Sequence, residues 1–128
     1  MWFVDTHAHL DFPQFAEDRE EVIKRALDAG VRYIVNASAS LEASRAAIEI
    51  AQKYENVFAA VGVHPHDAKD VTDAVLDEIE QMAKEDCVVA IGEVGLDFYR
   101  NLSPREQQEY AFRGFLEIAR RVDKPVIL

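Results

Sequence analysis

A chain of 128 residues, 49% hydrophobic and 30% charged, can bury about two-thirds of its unfolded surface in one core and is too short for two ordinary domains. Four prolines and five glycines exclude a collagen-like or low-complexity chain, and the apolar content excludes wholesale disorder. With 24 acidic against 14 basic side chains the formal net charge is −10; this disfavours nucleic-acid binding spread over a basic face, but not a phosphate substrate drawn in locally by metal ions.

The N-terminus, Met1-Trp2-Phe3-Val4-Asp5, has no cationic region and turns acidic at once, unlike a secretory signal. Residues 2–4 open a series of short, continuous apolar runs that recurs at 32–37, 57–63, 88–92 and 125–128. Such runs predict parallel strands buried on both faces. A helical period fills each interval. Around 17–29, Val22, Ile23, Ala26 and Leu27 share one face, and Gly30 supplies the stop. Behind a Ser40 cap, Ala43, Ala46, Ala47, Ile50 and Tyr54 line up; behind Thr72, so do Val75, Leu76, Ile79, Met82 and Ala83. In the fourth, Ser103 and Glu106 read as a capping box with Pro104 at the first helical position, and Arg120 and Arg121 suit the negative end of the helix dipole. The order βαβαβαβαβ predicts a parallel sheet with right-handed crossovers, over residues 1–128 as a single domain.

Single-cysteine usage (Cys87) allows no intrachain disulfide and suits a reducing compartment. No apolar run approaches the roughly 20 residues that span a bilayer. A cytoplasmic domain with no membrane partner is the expectation. Cys87 itself reads as a small buried hydrophobe.

The chemistry-bearing residues cluster after the strands, where parallel α/β folds collect their sites. The first strand is not followed by the glycine fingerprint of a dinucleotide fold but by Asp5-Thr6-His7-Ala8-His9. In extended backbone, residues two apart project to one side, so His7 and His9 can reach a common point and ligate zinc, manganese or iron. Glu93 ends the fourth apolar run, where an isolated carboxylate would cost several kcal/mol; a metal or an arginine such as Arg100 would satisfy it. Asp97 either orients a metal-ligand histidine from behind or caps a turn. His64 and His66, in Gly62-Val63-His64-Pro65-His66, either donate to a substrate oxygen or are ordinary loop residues. Phe12, Phe15, Phe98 and Tyr99 rim the strand ends, to stack on a substrate or to fill gaps between helices. The runs Glu17-Asp18-Glu20-Glu21 and Asp77-Glu78-Glu80 read as solvated helix faces.

Taken together, Phe3-Val4-Asp5-Thr6-His7-Ala8-His9-Leu10, Gly62-Val63-His64-Pro65-His66 and Ile91-Gly92-Glu93-Val94-Gly95-Leu96-Asp97-Phe98-Tyr99 resemble the TatD family of metal-dependent hydrolases in the amidohydrolase superfamily, and 124–128 resembles that family's fifth strand. The resemblance implies a TIM-type (β/α)8 barrel of about 250 residues, of which this chain would be the (βα)4β half. It implies one or two divalent ions (Zn, Mg or Mn) per complete site, with His7, His9 and Glu93 as ligands, Glu93 as the catalytic residue and His64 facing substrate. It implies cleavage of phosphodiester bonds in DNA by metal-activated water. The family pattern continues with further ligands beyond Leu128, so a two-metal site is not expected in one chain. A half barrel has two open edges, which predicts self-association to close it, two copies forming an eight-stranded assembly by two-fold symmetry. The alternatives are hydrolysis of C–N or ester bonds in the same metal cradle, and a non-catalytic scaffold.

Overall fold

The structure is a computed structural model that describes residues 1–128. Four parallel strands, β1 (Phe3–Ala8), β2 (Val31–Asn36), β3 (Val57–Val61) and β4 (Val88–Ile91), lie in sequence order in one sheet. They are joined by α1 (Arg19–Asp28), α2 (Leu41–Lys53) and α3 (Asp73–Ala83), and α4 (Arg105–Val122) follows β4. β3 and β4 are buried at every position but Phe58 and Val89, because neighbouring strands and α2 to α4 cover them. β1 is exposed along almost its whole length, since it has a neighbour on one side only.

The main core joins Val61, Val88 and Ile91 of the sheet to Ala47, Ile79, Phe115 and Ile118 of the helices. Each fully buried large aliphatic or aromatic side chain there stabilises the fold by roughly 1.5–3 kcal/mol. A smaller cluster, Leu10, Ile23, Ile34, Ile50 and Val57, sits beneath α1. Ile23 is the one buried residue of α1, and Leu27, predicted on its inward face, lies exposed.

Two predicted helix caps form: Ser40 Oγ accepts the Ala43 N–H at 3.1 Å, and Thr72 Oγ1 accepts the Val75 N–H at 3.3 Å. The predicted capping box on α4 does not. Its N-cap is Pro104, and the Ser103 hydroxyl instead donates to the His66 carbonyl at 2.7 Å and accepts the Lys69 N–H at 3.0 Å. A tertiary contact has taken the hydroxyl from its local role.

Beyond α4 the chain returns alongside β4. Pro125 and Ile127 exchange three backbone hydrogen bonds with Ile91 and Val94, forming a single parallel bridge between Ile91 and Val126. The predicted fifth strand therefore starts where the apolar run placed it, but is only a bridge long. Two glycines let these segments approach closely. A Cβ on Gly92 would lie 2.6 Å from Ile127 Cβ, and one on Gly62 would lie 2.7 Å from Val94 Cγ1.

The chain exposes 7511 Å², against about 6,900 Å² for an ordinary monomer of this mass. Part of the excess is apolar and runs along the β1 edge, where Trp2, Phe3 and Val4 are 57%, 54% and 42% exposed. No helix is long and apolar enough to cross a membrane.

Candidate functional site

At the C-terminal end of the sheet, β1 and the turn after β4 bring three side chains together. β1 runs through Ala8, longer than its apolar run, so His7 stands in the strand and His9 just beyond it. Their rings lie 5.1 Å apart at a steep interplanar angle of 71°. The Asp5 carboxylate accepts the His7 N–H at 3.1 Å and steadies the strand end. Glu93 arrives from across the sheet, where the Gly92–Glu93 peptide is cis. Its N–H donates to the Ser38 carbonyl at 2.9 Å, while Ser38 N–H donates to Gly92 at 3.3 Å. This reciprocal clamp ties the β4 exit to the β2 exit.

His7 Nε2 stands 2.8 Å from Glu93 Oε2, and His9 Nε2 stands 3.8 Å from Glu93 Oε1. One ligand atom from each of the three side chains lies within 4.8 Å of the others. His9 Nδ1 lies 3.0 Å from the Ala37 carbonyl. A carbonyl can only accept, so Nδ1 carries the proton and the Nε2 lone pair of the neutral ring faces the carboxylate. In that tautomer the imidazole lone pair and the carboxylate are both free to share a cation. Donors at about 2.0–2.2 Å from a shared ion stand roughly 3–3.5 Å from one another, and the two measured separations bracket that range. The donor set fits a divalent ion, and Arg100, the alternative partner for Glu93, is not paired with it.

Behind the histidines the support is polar and buried. Asn36, at the end of β2, accepts the Leu10 N–H and donates to Asp11 Oδ1 at 3.2 Å. Phe12 stacks on the His9 ring, centroids 4.6 Å apart and nearly parallel at 9°. Sequence reasoning passed over Asn36; the signal was a lone amide ending an otherwise apolar strand.

A cavity of about 520 Å³ opens beside Glu93, lined also by His64, Pro65, Val94, Asp97 and Leu128. His64 Nδ1 accepts the His66 N–H at 3.1 Å, which leaves the proton of the neutral ring on Nε2. Burial, reinforced by the neighbouring His66, pushes the His64 pKa below the ordinary imidazole range, against the opposing pull of Glu93, Asp67 and Asp97. His64 is therefore a neutral donor at the cavity wall.

His66 turns away from the cluster and pairs with Asp97, Nε2 to Oδ2 at 2.6 Å. Asp97 caps the following turn by accepting the Arg100 N–H at 2.9 Å, and the histidine it holds is His66 rather than His7 or His9. That N–H and the His66 imidazole hold its carboxyl below the usual carboxylate range. Phe15 lies in a short 3₁₀ turn, Pro13–Phe15. Cys87 is half-buried, and burial pushes its thiol pKa up. The acidic helix faces are solvated, with Glu78 and Glu80 paired to Arg45 and Arg121.

Known proteins share this chain's sequence pattern and fold. The model of the family described as TatD related DNase matches residues 4–128. A 3′-5′ ssDNA/RNA exonuclease TatD from Pectobacterium carotovorum is 46% identical over 125 residues, which cover 97% of this chain and 48% of the relative. A metal-dependent hydrolase from Bacillus subtilis is 40% identical over 124 residues, 97% of this chain and 49% of that one. Among solved structures, a TatD homologue from Escherichia coli superimposes with a TM-score of 0.87 at 36% identity, covering 97% of this chain and 49% of its own. A TatD family hydrolase from Entamoeba histolytica gives 0.84 at 30% identity, with 94% and 46% covered. The chain belongs to the TatD related DNase family, and it spans about half the length of these relatives. Its four-stranded parallel sheet is half of a TIM-type barrel.

Proposed function

We propose that this chain carries the metal-holding half of a phosphodiester hydrolase acting on nucleic acid, DNA in the first instance. His7, His9 and Glu93 would hold a divalent ion, Zn, Mg or Mn, and Glu93 would be the catalytic carboxylate. The observation that carries this reading is the meeting of two imidazoles and a carboxylate within 4.8 Å, beside a cavity with room for a phosphate group. When bound, such an ion supplies Lewis-acid charge to a phosphoryl oxygen and acidifies water. The chain's own residues do the rest. The Ala37 carbonyl keeps the His9 Nε2 lone pair directed at the site, and the Ser38 clamp fixes the Glu93 backbone. His64, neutral with its proton on Nε2, offers a hydrogen bond to a phosphate oxygen in the cavity without adding a charge that would repel the cation. The family membership and the exonuclease names of the relatives support the substrate class.

Calorimetric titration with Mn²⁺ tests the site. The native chain should bind, and Glu93→Gln or His9→Ala should weaken binding at least tenfold while far-ultraviolet circular dichroism stays the same. Undiminished binding by either variant would sink the assignment.

We also infer that residues 1–128 act as one half-barrel unit that self-associates through its open edges. The exposed apolar residues of β1 support this, since a parallel edge strand with Trp2, Phe3 and Val4 uncovered is a template for a further strand. Light scattering should find a species of twice the chain mass. A monodisperse monomer at tens of micromolar would refute it.

A further inference from the structure

The wall of the cavity beside Glu93 carries a second carboxylate, Asp97, as well as the neutral donor His64. A carboxylate at the wall of a cavity that takes an anion is unexpected, because it repels the ligand. Asp97 is not free to meet a ligand, however, since both of its oxygens are engaged. Oδ2 stands 2.6 Å from His66 Nε2, and Oδ1 accepts the Arg100 N–H at 2.9 Å. Its backbone is fixed as well: Gln108, only 1% exposed, accepts the Asp97 N–H through Oε1 at 2.8 Å. What this anchored carboxylate holds in place is His66.

His66 in turn reaches His64. A carboxylate only accepts, so the proton of the His66–Asp97 bond sits on His66 Nε2. The His66 ring is held 4.2 Å from the His64 ring, centroid to centroid, at an interplanar angle of 69°. The His66 carbonyl accepts the Ser103 hydroxyl at 2.7 Å. Ring and carbonyl are thus both tied to the segment after β4, and the N–H of the same residue points at His64 Nδ1, 3.1 Å away. That N–H occupies the Nδ1 lone pair and leaves the His64 proton on Nε2.

We propose that Asp97 and His66 are positioning residues for His64: the pair pins the loop after β3 to the turn after β4, and through the His66 N–H it keeps the His64 proton on Nε2 as a donor at the cavity wall. This rests on the phosphodiesterase reading for the nature of the ligand, and deepens it by naming the residues that stand behind the donor. The role runs against simple electrostatics. Were Asp97 only a charge at the wall, neutralising it would strengthen the binding of a phosphodiester anion. As the support of His64, neutralising it weakens that binding.

The first readout is the pair of His64 ring-nitrogen resonances in the metal-free chain at about pH 8, above the ordinary imidazole pKa. Native protein should show one neutral tautomer, protonated on Nε2. Asp97→Asn and His66→Phe should shift both nitrogens toward a mixture of tautomers. His66→Gln, whose amide replaces the Nε2 donor, should keep the native pattern. Unchanged His64 nitrogens in Asp97→Asn and His66→Phe overturn the proposal. The second readout is calorimetric binding of diethyl phosphate, a phosphodiester with no base, to the Mn²⁺-loaded chain. Asp97→Asn should weaken it about tenfold, the lower end of what a hydrogen bond to a charged group supplies, and should add no further loss to His64→Ala. Equal or tighter binding by Asp97→Asn overturns the positioning role, and so does an undiminished loss on the His64→Ala background. If the nitrogens respond as expected while the native chain binds no diethyl phosphate, the positioning role stands and the phosphodiesterase reading falls.

Discussion

Gly62 and Val94 join the β3 exit to the Glu93 turn, and the fit between them can be tested quantitatively. A Cβ on Gly62 would lie 2.7 Å from Val94 Cγ1, and 3.2 and 3.3 Å from Gly92 backbone atoms. Overpacking of this kind costs about 1–3 kcal/mol. Gly62 does not occupy the left-handed region, so alanine there also gains about 0.4–1 kcal/mol from a less flexible unfolded chain. Gly62→Ala should therefore destabilise by about 1–2 kcal/mol. Val94 is 2% exposed, and Val94→Ala removes the clashing methyl along with a second one, costing about 1.6 kcal/mol of transfer energy at 0.8 per methyl, before any cavity cost. With the methyl gone, Gly62→Ala meets only the Gly92 backbone. The double variant should thus be more stable than the sum of the two by about 1 kcal/mol. Urea unfolding with a common m-value measures all three variants. Additivity within about 0.5 kcal/mol would refute the contact. Because Val94 adjoins Glu93, Gly62→Ala should also weaken Mn²⁺ binding, and Val94→Ala should restore part of the loss.

Further outcomes follow from the network around Asp97. Gln108→Ala strips partners from the Asp97 N–H and the Ser103 carbonyl and should cost about 2–3 kcal/mol, with faster hydrogen exchange confined largely to residues 97–103. Asp97 has its carboxyl held low in the folded state, chiefly by the Arg100 N–H and then by His66. Its contribution to stability is present above the ordinary carboxylate pKa, near 4, and fades as pH falls through the lowered value. Native protein should therefore lose stability more steeply than Asp97→Asn below about pH 4; parallel acid limbs would rule this out.

The strand–helix alternation was legible because parallel strands buried on both faces must be written as continuous apolar runs, and helices between them as a repeating face. Ser40 and Thr72 were legible as caps because that chemistry spans three residues. The pairing of His7 with His9 was likewise local, set by the two-residue period of extended backbone. Glu93 could be nominated from its place at the end of an apolar strand, but only the family resemblance grouped it with His7 and His9, since His7 lies 86 residues away and meets it only once the sheet is assembled. Distance along the chain also hid the Ala37 carbonyl that sets the His9 tautomer, the Asn36 amide that supports Leu10, and the Asp97 carboxylate that claims His66. Ser103 shows the limit most clearly. Its sequence context offers a capping box, yet its hydroxyl serves His66 and Lys69, because satisfying a buried loop carbonyl and amide is worth more than a cap that water could replace. Short-range pattern thus determined the elements and the residue types at their ends; which of those ends face one another, and therefore what they can hold, was decided by the order of strands in the sheet.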